Sequence, residues 1–201
     1  MESKYQPKTT QKAFLEKFLA KQRSKQILPF VKGKNVLDFG CGLDAWNANL
    51  IYSHCKNVVG IEQNQTVSIK VGKVNVFPSL NDMPHIKFDV VLALAVFEHI
   101  DPFALINILN QLSHFCSKDA LLIGTAPTPR ARPILEFLSF KLNLIDPTQT
   151  KDHKVYYDDL WLKTLTNRSR WTLISYKKFQ LGCNARFVMG LDRSFQQHLP
   201  L

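Results

Sequence analysis

The sequence predicts an α/β fold: a doubly wound, mainly parallel sheet with helices on both faces, three α/β/α layers in all, closed by a C-terminal antiparallel strand pair. Three observations predict it. Continuous apolar strands such as Asp89–Val96 alternate with helix-periodic stretches, and a strand apolar on both sides is buried on both faces, as in parallel sheets. The run Asn35-Val36-Leu37-Asp38-Phe39-Gly40-Cys41-Gly42-Leu43 carries an apolar strand into a carboxylate and two glycines. Twenty residues after Gly42, a second strand, Asn57-Val58-Val59-Gly60-Ile61, ends on another carboxylate, Glu62.

The elements follow in order. Residues 9–27 place Ala13, Phe14, Phe18 and the pair Ile27/Leu28 at helical spacings with lysines opposite, and Thr9 or Thr10 supplies the cap. This helix serves either as a lid over a ligand or as plain packing on the sheet edge. Pro29 is expected to break the chain before the first strand. Strands are expected at 34–39, 57–62, 73–77, 88–94 and 119–125, with helices at 44–54, 64–71 and 102–116. Asp101 caps the last of these helices and Pro102 suits its first turn. Crossovers should be right-handed.

Thr128-Pro129-Arg130-Ala131-Arg132-Pro133 is a stiff, basic connector. Residues 134–144 are apolar nearly all round and so bury against the body, a partner or an apolar substrate. Residues 146–153 are polar and loop-like. Residues 157–167 read as a helix capped by Asp158, and 172–179 and 185–189 as two strands joined around Gly182. The whole reads as one domain, 1–201, with an N-terminal helical cap (1–30), a cofactor-binding core (31–127), a substrate-side insert (128–157) and a C-terminal helix and strand pair (158–201).

With 201 residues, 45% hydrophobic and 21% charged, the chain is globular and long enough for a real core. No apolar run of about 18 residues occurs, so no transmembrane helix is expected, and its first residues are polar and basic rather than a secretory leader. Cys41, Cys55, Cys116 and Cys183 are widely spaced and form no CxxC pair or Cys/His cluster. No metal site is expected, and reduced thiols in the cytoplasm are the plain reading. The net charge of +10 concentrates in residues 4–34 and in Lys163, Arg168, Arg170, Lys177, Lys178 and Arg186. Such surfaces attract polyanions, RNA or anionic lipid headgroups among them. A solvated face on a basic protein is the plainer reading, since no RNA-binding module accompanies the charge.

The chemistry concentrates at the strand ends. Glycine lacks a Cβ, so Gly40 and Gly42 admit positive φ and a close backbone approach. Asp38 closes an apolar strand, which costs free energy unless a charge or donor meets it. It would repel a pyrophosphate and suit a cationic or hydroxyl-rich ligand. Strand, glycine turn, helix, strand and acid is the layout of a nucleoside-binding half-fold, with the acid on the ribose hydroxyls.

These residues resemble motif I and the following acidic position of the class I S-adenosylmethionine-dependent methyltransferases, a family of Rossmann-like fold. Two further segments are similar to that family. Phe88-Asp89-Val90-Val91-Leu92-Ala93-Leu94-Ala95-Val96-Phe97-Glu98-His99-Ile100 resembles its fourth strand with the Glu-His-Ile ending of the small-molecule branch, and Ala120-Leu121-Leu122-Ile123-Gly124-Thr125-Ala126-Pro127 resembles its fifth strand and exit loop. The likeness spans residues 30 to 127. It implies S-adenosylmethionine as cofactor, with Asp38 near the methionine amino group. It puts the loop at Gly40 and Gly42 along the carboxypropyl chain and ribose and Glu62 at the ribose diol, and counts Cys41, Gln63, Ala93, Leu94 and Ala95 among the cofactor-binding residues. Where many relatives place an aspartate against the adenine amine, this chain has Ser79 and then Leu80, whose N–H can meet the ring.

The resemblance further implies in-line methyl transfer to a small-molecule, lipid-like or saccharide acceptor. His99 and His153 are the candidate bases, each with a plainer alternative: a structural histidine and an exposed loop histidine. Arg130 and Arg132 can grip an anionic substrate group with two bonds or face solvent. Tyr156 and Tyr157 line a pocket or anchor the next helix. Adenine-N6 transfer is weakened, because Ala95-Val96-Phe97-Glu98 stands where an Asn/Asp-Pro-Pro-Tyr turn belongs. No cysteine follows a proline as cytosine-C5 transfer needs. Two other functions stand beside this one: a non-catalytic or RNA-directed module working through the basic face, and an NAD-dependent oxidoreductase. The second meets the objection that Asp38 would face the pyrophosphate. Peripheral membrane contact stays open.

Overall fold

The computed structural model describes residues 10–131 and 155–192. Its strands are β1 (Asn35–Phe39), β2 (Asn57–Ile61), β3 (Ile69–Val71), β4 (Val74–Phe77), β5 (Phe88–Leu94), β6 (Cys116–Pro127), β7 (Trp171–Phe179) and β8 (Asn184–Leu191). They form one sheet in the order β3-β4-β2-β1-β5-β6-β8-β7. β4, β2, β1, β5 and β6 run parallel, while β8 is antiparallel to β6 and β7 to β8. The mainly parallel sheet and its C-terminal antiparallel pair are those expected from the sequence.

The helices are α1 (Thr10–Val31), α2 (Trp46–Ile51), α3 (Pro102–Ser113) and α4 (Asp159–Thr166). Each sheet face has its own core. Ile27 and Val31 of α1 and Ala48 and Ile51 of α2 pack with Val36, Val58, Leu92, Ile123 and Val188. On the other face Leu105, Leu109 and Leu112 of α3 and Leu162 and Leu165 of α4 pack with Leu37, Val91, Leu122, Trp171 and Phe187. The alternating side chains of β1 and β5 feed both layers, which is why these strands read as continuous apolar runs.

Local chemistry sets the ends of α3 and α4. Asp101 accepts from the N–H groups of Phe103 (2.9 Å) and Ala104 (3.3 Å), and Pro102 occupies the first helical position. Asp158 accepts from the Trp161 N–H at 2.8 Å. Gly124 is required by a close approach rather than by a turn: a Cβ there would lie 2.0 Å from Phe187 Cζ. The Phe187 ring lies flat in that space and meets Phe97 at 5.1 Å. Trp171, also buried, donates from Nε1 to the Leu109 carbonyl at 2.8 Å.

Two elements differ from the sequence reading. The helix expected at 64–71 is instead the strand β3, which turns through Gly72 and Lys73 into β4. Gly72 has φ +60°, the positive value that the first position of a tight hairpin turn demands. The β-branched residues Ile69, Val71, Val74 and Val76 flank it and pair across the hairpin. Pro29 does not end α1 but lies within it, and the helix continues only to Val31. A proline inside a helix removes one backbone hydrogen bond and crowds the carbonyl four residues earlier, so tertiary packing must offset it. Here Ile27 and Val31, both wholly buried, hold it on the sheet.

Candidate active site

β1, β2, β4, β5 and β6 present their carboxyl ends along one edge of the sheet. The strand order reverses between β1 and β5, with β2 and β4 on one side and β6 on the other. Ligands of open α/β sheets bind outside the strand ends at such a reversal. A cleft of about 720 Å³ opens there, a size usual for small-molecule sites. Its wall includes Gly40, Glu62, Gln63, Ser79, Leu80, Ala95 and His99, seven of the residues singled out in the sequence.

The loop after β1 is braced to the end of β2. The Ile61 carbonyl accepts from the N–H groups of Gly40 (2.8 Å) and Cys41 (3.0 Å). Glu62 Oε2 accepts from the Gly42 N–H at 3.0 Å, and Glu62 Oε1 from the N–H (3.0 Å) and Nδ2 (2.7 Å) of Asn64. The loop amides therefore turn inward to β2, where the sequence reading had them bare toward a ligand. The glycines keep separate duties. Gly40 (φ +72°) leaves room for Val96, whose Cγ2 would lie 2.7 Å from an added Cβ, while at Gly42 (φ +74°) an added Cβ would make ordinary contact with Asp44 Oδ1 at 3.5 Å. Ala95 also takes a positive φ, 57°, and donates its N–H to the Thr125 carbonyl at 2.8 Å. A non-glycine residue held there marks local strain of the kind concentrated at functional sites.

Asp38 lies behind the cleft. Its side chain points to the α1/α2 face and is 1% exposed, and among the described residues its Oδ2 has no hydrogen-bond partner. Burial pushes its carboxyl up to about 7, and a hydrogen bond from the Ala48 N–H draws it only partly back. Cys41, Gly42, Ala93 and Leu94 also stand outside the cleft wall, with Cys41, Ala93 and Leu94 buried. Burial first, then the charges of Asp38 and Glu62, raises the Cys41 thiol to about 12, so it is no nucleophile.

After β5 the chain makes a short helical turn, Phe97–His99. It divides the expected acid–histidine pair. His99 is exposed on the cleft, whereas Glu98 is buried, with Oε2 lacking a partner among the described residues. Burial raises the Glu98 carboxyl to about 7, against the pull of its own backbone amide and of Arg23 on α1.

Tyr157, expected at a substrate pocket, is a core residue: wholly buried, with its hydroxyl donating to the Phe97 carbonyl at 3.4 Å and its ring edge-on to Phe97 at 6.2 Å. It supports the Glu98–His99 turn from below, the anchoring alternative. Tyr156 is half-buried. Arg130 is exposed and packs beside Gly182 of the β7–β8 turn. Arg132 and His153 lie outside the described residues, as does the apolar stretch 134–144.

Sequence reasoning missed the α3 side of the cleft: Asp101, Ala104, Ile108 and Gln111. Their spacing is that of one helix face, so the signal was present in the periodicity once α3 was known to flank the strand ends. It also missed Asn64, which locks Glu62. Asp82, three residues after Ser79, accepts from Ser79 Oγ at 2.6 Å.

The site fits S-adenosylmethionine. Glu62 offers an acceptor-only carboxylate that would suit a diol, Asp38, Glu62 and Asp44 surround the loop at Cys41 with negative charge that would suit a cationic ligand, and Asp38 Oδ2 lacks a donor among the described residues. Among the described residues no cluster of His, Cys, Asp and Glu could hold a metal ion. No helix among them is long and apolar enough to cross a membrane.

This fold and cleft are those of a Rossmann-like methyltransferase domain. A family model described as a methyltransferase domain matches residues 11–177, and the chain belongs to that family. Among solved structures, it is similar to a SAM-dependent methyltransferase from Archaeoglobus fulgidus (19% identity, 89% of this chain and 98% of that one, TM-score 0.64). Another is the magnesium protoporphyrin IX methyltransferase of Synechocystis with bound S-adenosylhomocysteine (12% identity, 94% and 90%, TM-score 0.59). A third is a candidate O-methyltransferase from Nostoc punctiforme (11% identity, 89% and 58%, TM-score 0.63), of whose length the chain spans little more than half. At these identities the likeness is one of fold. No curated protein matches the sequence.

Proposed function

We propose that this protein transfers the methyl group of S-adenosylmethionine to a small-molecule acceptor. The observation that carries the reading is Glu62, held by Gly42 and Asn64 at the end of β2, on a cleft at the strand-order reversal. When bound, the cofactor supplies a methyl group already activated on a sulfonium, so the protein needs alignment more than acid–base power.

Each residue then has a task. Glu62 accepts from a ribose hydroxyl with the lone pair that its three internal bonds leave free on Oε2, and Gln63 borders the same place. Ser79 and Leu80 flank the adenine. Asp38, through the loop it underlies, holds the amino group of the methionine end, and Ala93, Leu94 and Ala95 shape the strand end beside it. His99, exposed on the cleft, takes the acceptor's proton where the acceptor has one to lose.

The experiment is calorimetric titration with S-adenosylhomocysteine. Saturable binding in the micromolar range, lost in Glu62→Ala, is the expected result. No binding by the wild-type chain, or an unchanged affinity in Glu62→Ala, overturns the site assignment.

A further inference from the structure

One face of the sheet carries a row of buried polar groups, of which the cofactor assignment uses Asp38 but neither Thr125 nor Arg186. Register places Asp38 beside Leu92, Leu94 beside Thr125, and Thr125 beside Arg186, so these side chains share the face covered by α1. Thr125 is 1% exposed, and its Oγ1 has no partner among the described residues. Arg186 Nε is likewise buried and unpartnered. The guanidinium is nonetheless fixed in place, with Nη1 donating to the Gln26 carbonyl of α1 at 3.4 Å and the group lying over the Phe30 ring at 5.2 Å. Stacking and an edge bond hold the plane of the fork and leave its buried Nε without a partner among the described residues.

A buried hydroxyl and a buried guanidinium edge, each without a partner, are costly in a finished core. Side by side on neighbouring strands they make a set of donors. Two donors of this kind, one of them charged, match an oxyanion, which accepts from both. The opposite end of the same row is acidic, with Asp38 on β1 and Glu98 in the turn after β5, and Arg23 drawn to Glu98. β1 and β8 lie three strand spacings apart, about 14 Å at the usual separation. That span separates a cation-seeking end from an anion-seeking end, with the exit of β5 between them.

We propose that Thr125 and Arg186 form the anion-binding subsite of the acceptor pocket, so that the acceptor carries a carboxylate or phosphate close to the atom that is methylated. This rests on the methyltransferase reading and names the substrate class for it. The bare guanidinium edge selects charged over neutral acceptors, and Thr125 fixes the anion's position relative to the end of β5.

The test is calorimetric titration of the wild-type chain, Thr125→Val and Arg186→Lys with benzoate, phenyl phosphate and neutral benzamide. Each is run with and without saturating S-adenosylhomocysteine. The expected result is saturable binding of benzoate or phenyl phosphate but not of benzamide, with the better of the two identifying the anion. Arg186→Lys should weaken that binding about tenfold or more, as loss of a charged hydrogen bond does. Thr125→Val should weaken it several-fold while keeping or raising the melting temperature, because it removes an orphaned hydroxyl without changing shape. A structural hydroxyl would show no ligand effect. Equal binding of benzamide, no anion binding, or an anion affinity unchanged in both variants overturns the proposal. S-adenosylhomocysteine affinity is read in the same runs. If it is normal while the anion effects fail, this inference alone falls. If it is absent while the Arg186-dependent anion binding stands, the methyltransferase reading falls and the anion site survives.

Discussion

The strand ends on either side of β5 are built differently. Toward β1 and β2 the groups of the cleft loop are spent on one another, Gly40 and Cys41 on the Ile61 carbonyl and Gly42 and Asn64 on Glu62, and only Asp38 behind them keeps an unpartnered oxygen among the described residues. Toward β6 and β8, under α1, buried polar atoms of Thr125 and Arg186 have no partners among the described residues. The first region is rigid before any ligand arrives, so binding there loses little conformational entropy. The second holds its polar groups at a cost to stability, and that cost is recovered only by a ligand of complementary chemistry. The contrast suits a transferase that keeps one donor and must recognise one acceptor.

Breaking the rigid side should have the largest effect. Glu62→Ala removes three accepted hydrogen bonds together with the proposed ribose contact, and S-adenosylhomocysteine affinity should fall about a hundredfold, as judged by calorimetry. A fall of less than threefold would show that the brace is not part of the binding site.

Gly40→Ala tests the same loop by strain. The new Cβ meets both a positive φ and Val96 Cγ2 at 2.7 Å, and affinity should drop about tenfold through a displaced loop. Val96→Ala in the same chain should restore part of the loss. If it restores none, the backbone conformation and not the contact sets the requirement.

The two buried acids sharpen the comparison through pH. The folded carboxyls of Asp38 and Glu98 are raised to about 7 from 3.8 and 4.5, so the folded state holds protons that the unfolded state has released. Their contribution to stability is therefore greatest below about pH 4 and is lost as pH rises toward 7. Asp38→Asn and Glu98→Gln should each flatten the decline in melting temperature across that window. A cationic ligand end binds the ionised acid, so S-adenosylmethionine affinity should rise with pH up to about 7 in the wild-type chain and more weakly in Asp38→Asn. An identical pH profile in the variant would remove Asp38 from the site.

The smallest effect is a control outside both regions. Asp158→Ala deletes the cap of α4 and should cost about 1 kcal/mol in denaturant melts with no change in S-adenosylhomocysteine affinity. A change in affinity would mean that α4 is coupled to the cleft.

The sequence showed one side of the cleft far better than the other, for a physical reason. The β1 loop and Glu62 lie within a stretch of some thirty residues and obey short-range rules: apolar run, glycine, helix, apolar run, acid. The β3–β4 hairpin misled because three apolar β-branched positions in a short window satisfy a helical period as easily as a strand's, and Gly72 alone marks the turn. Tyr157 was ambiguous because an aromatic residue beside polar neighbours reads equally as pocket or anchor. Only its contact with Phe97, sixty residues earlier, decides.

By itself, then, the chain's order of residues determined the parallel sheet, the glycine turn, the acid that ends β2 and the caps of α3 and α4, because each depends on neighbours a few positions away. Tertiary structure alone decided that Asp38 sits behind the cleft, that α3 supplies a wall, and that Thr125 and Arg186 stand together beneath α1. Those are pairings between residues as far apart as Gln26 and Arg186, and no local period encodes them. Sheet register brings them together, and register is set only when every strand has found its neighbour.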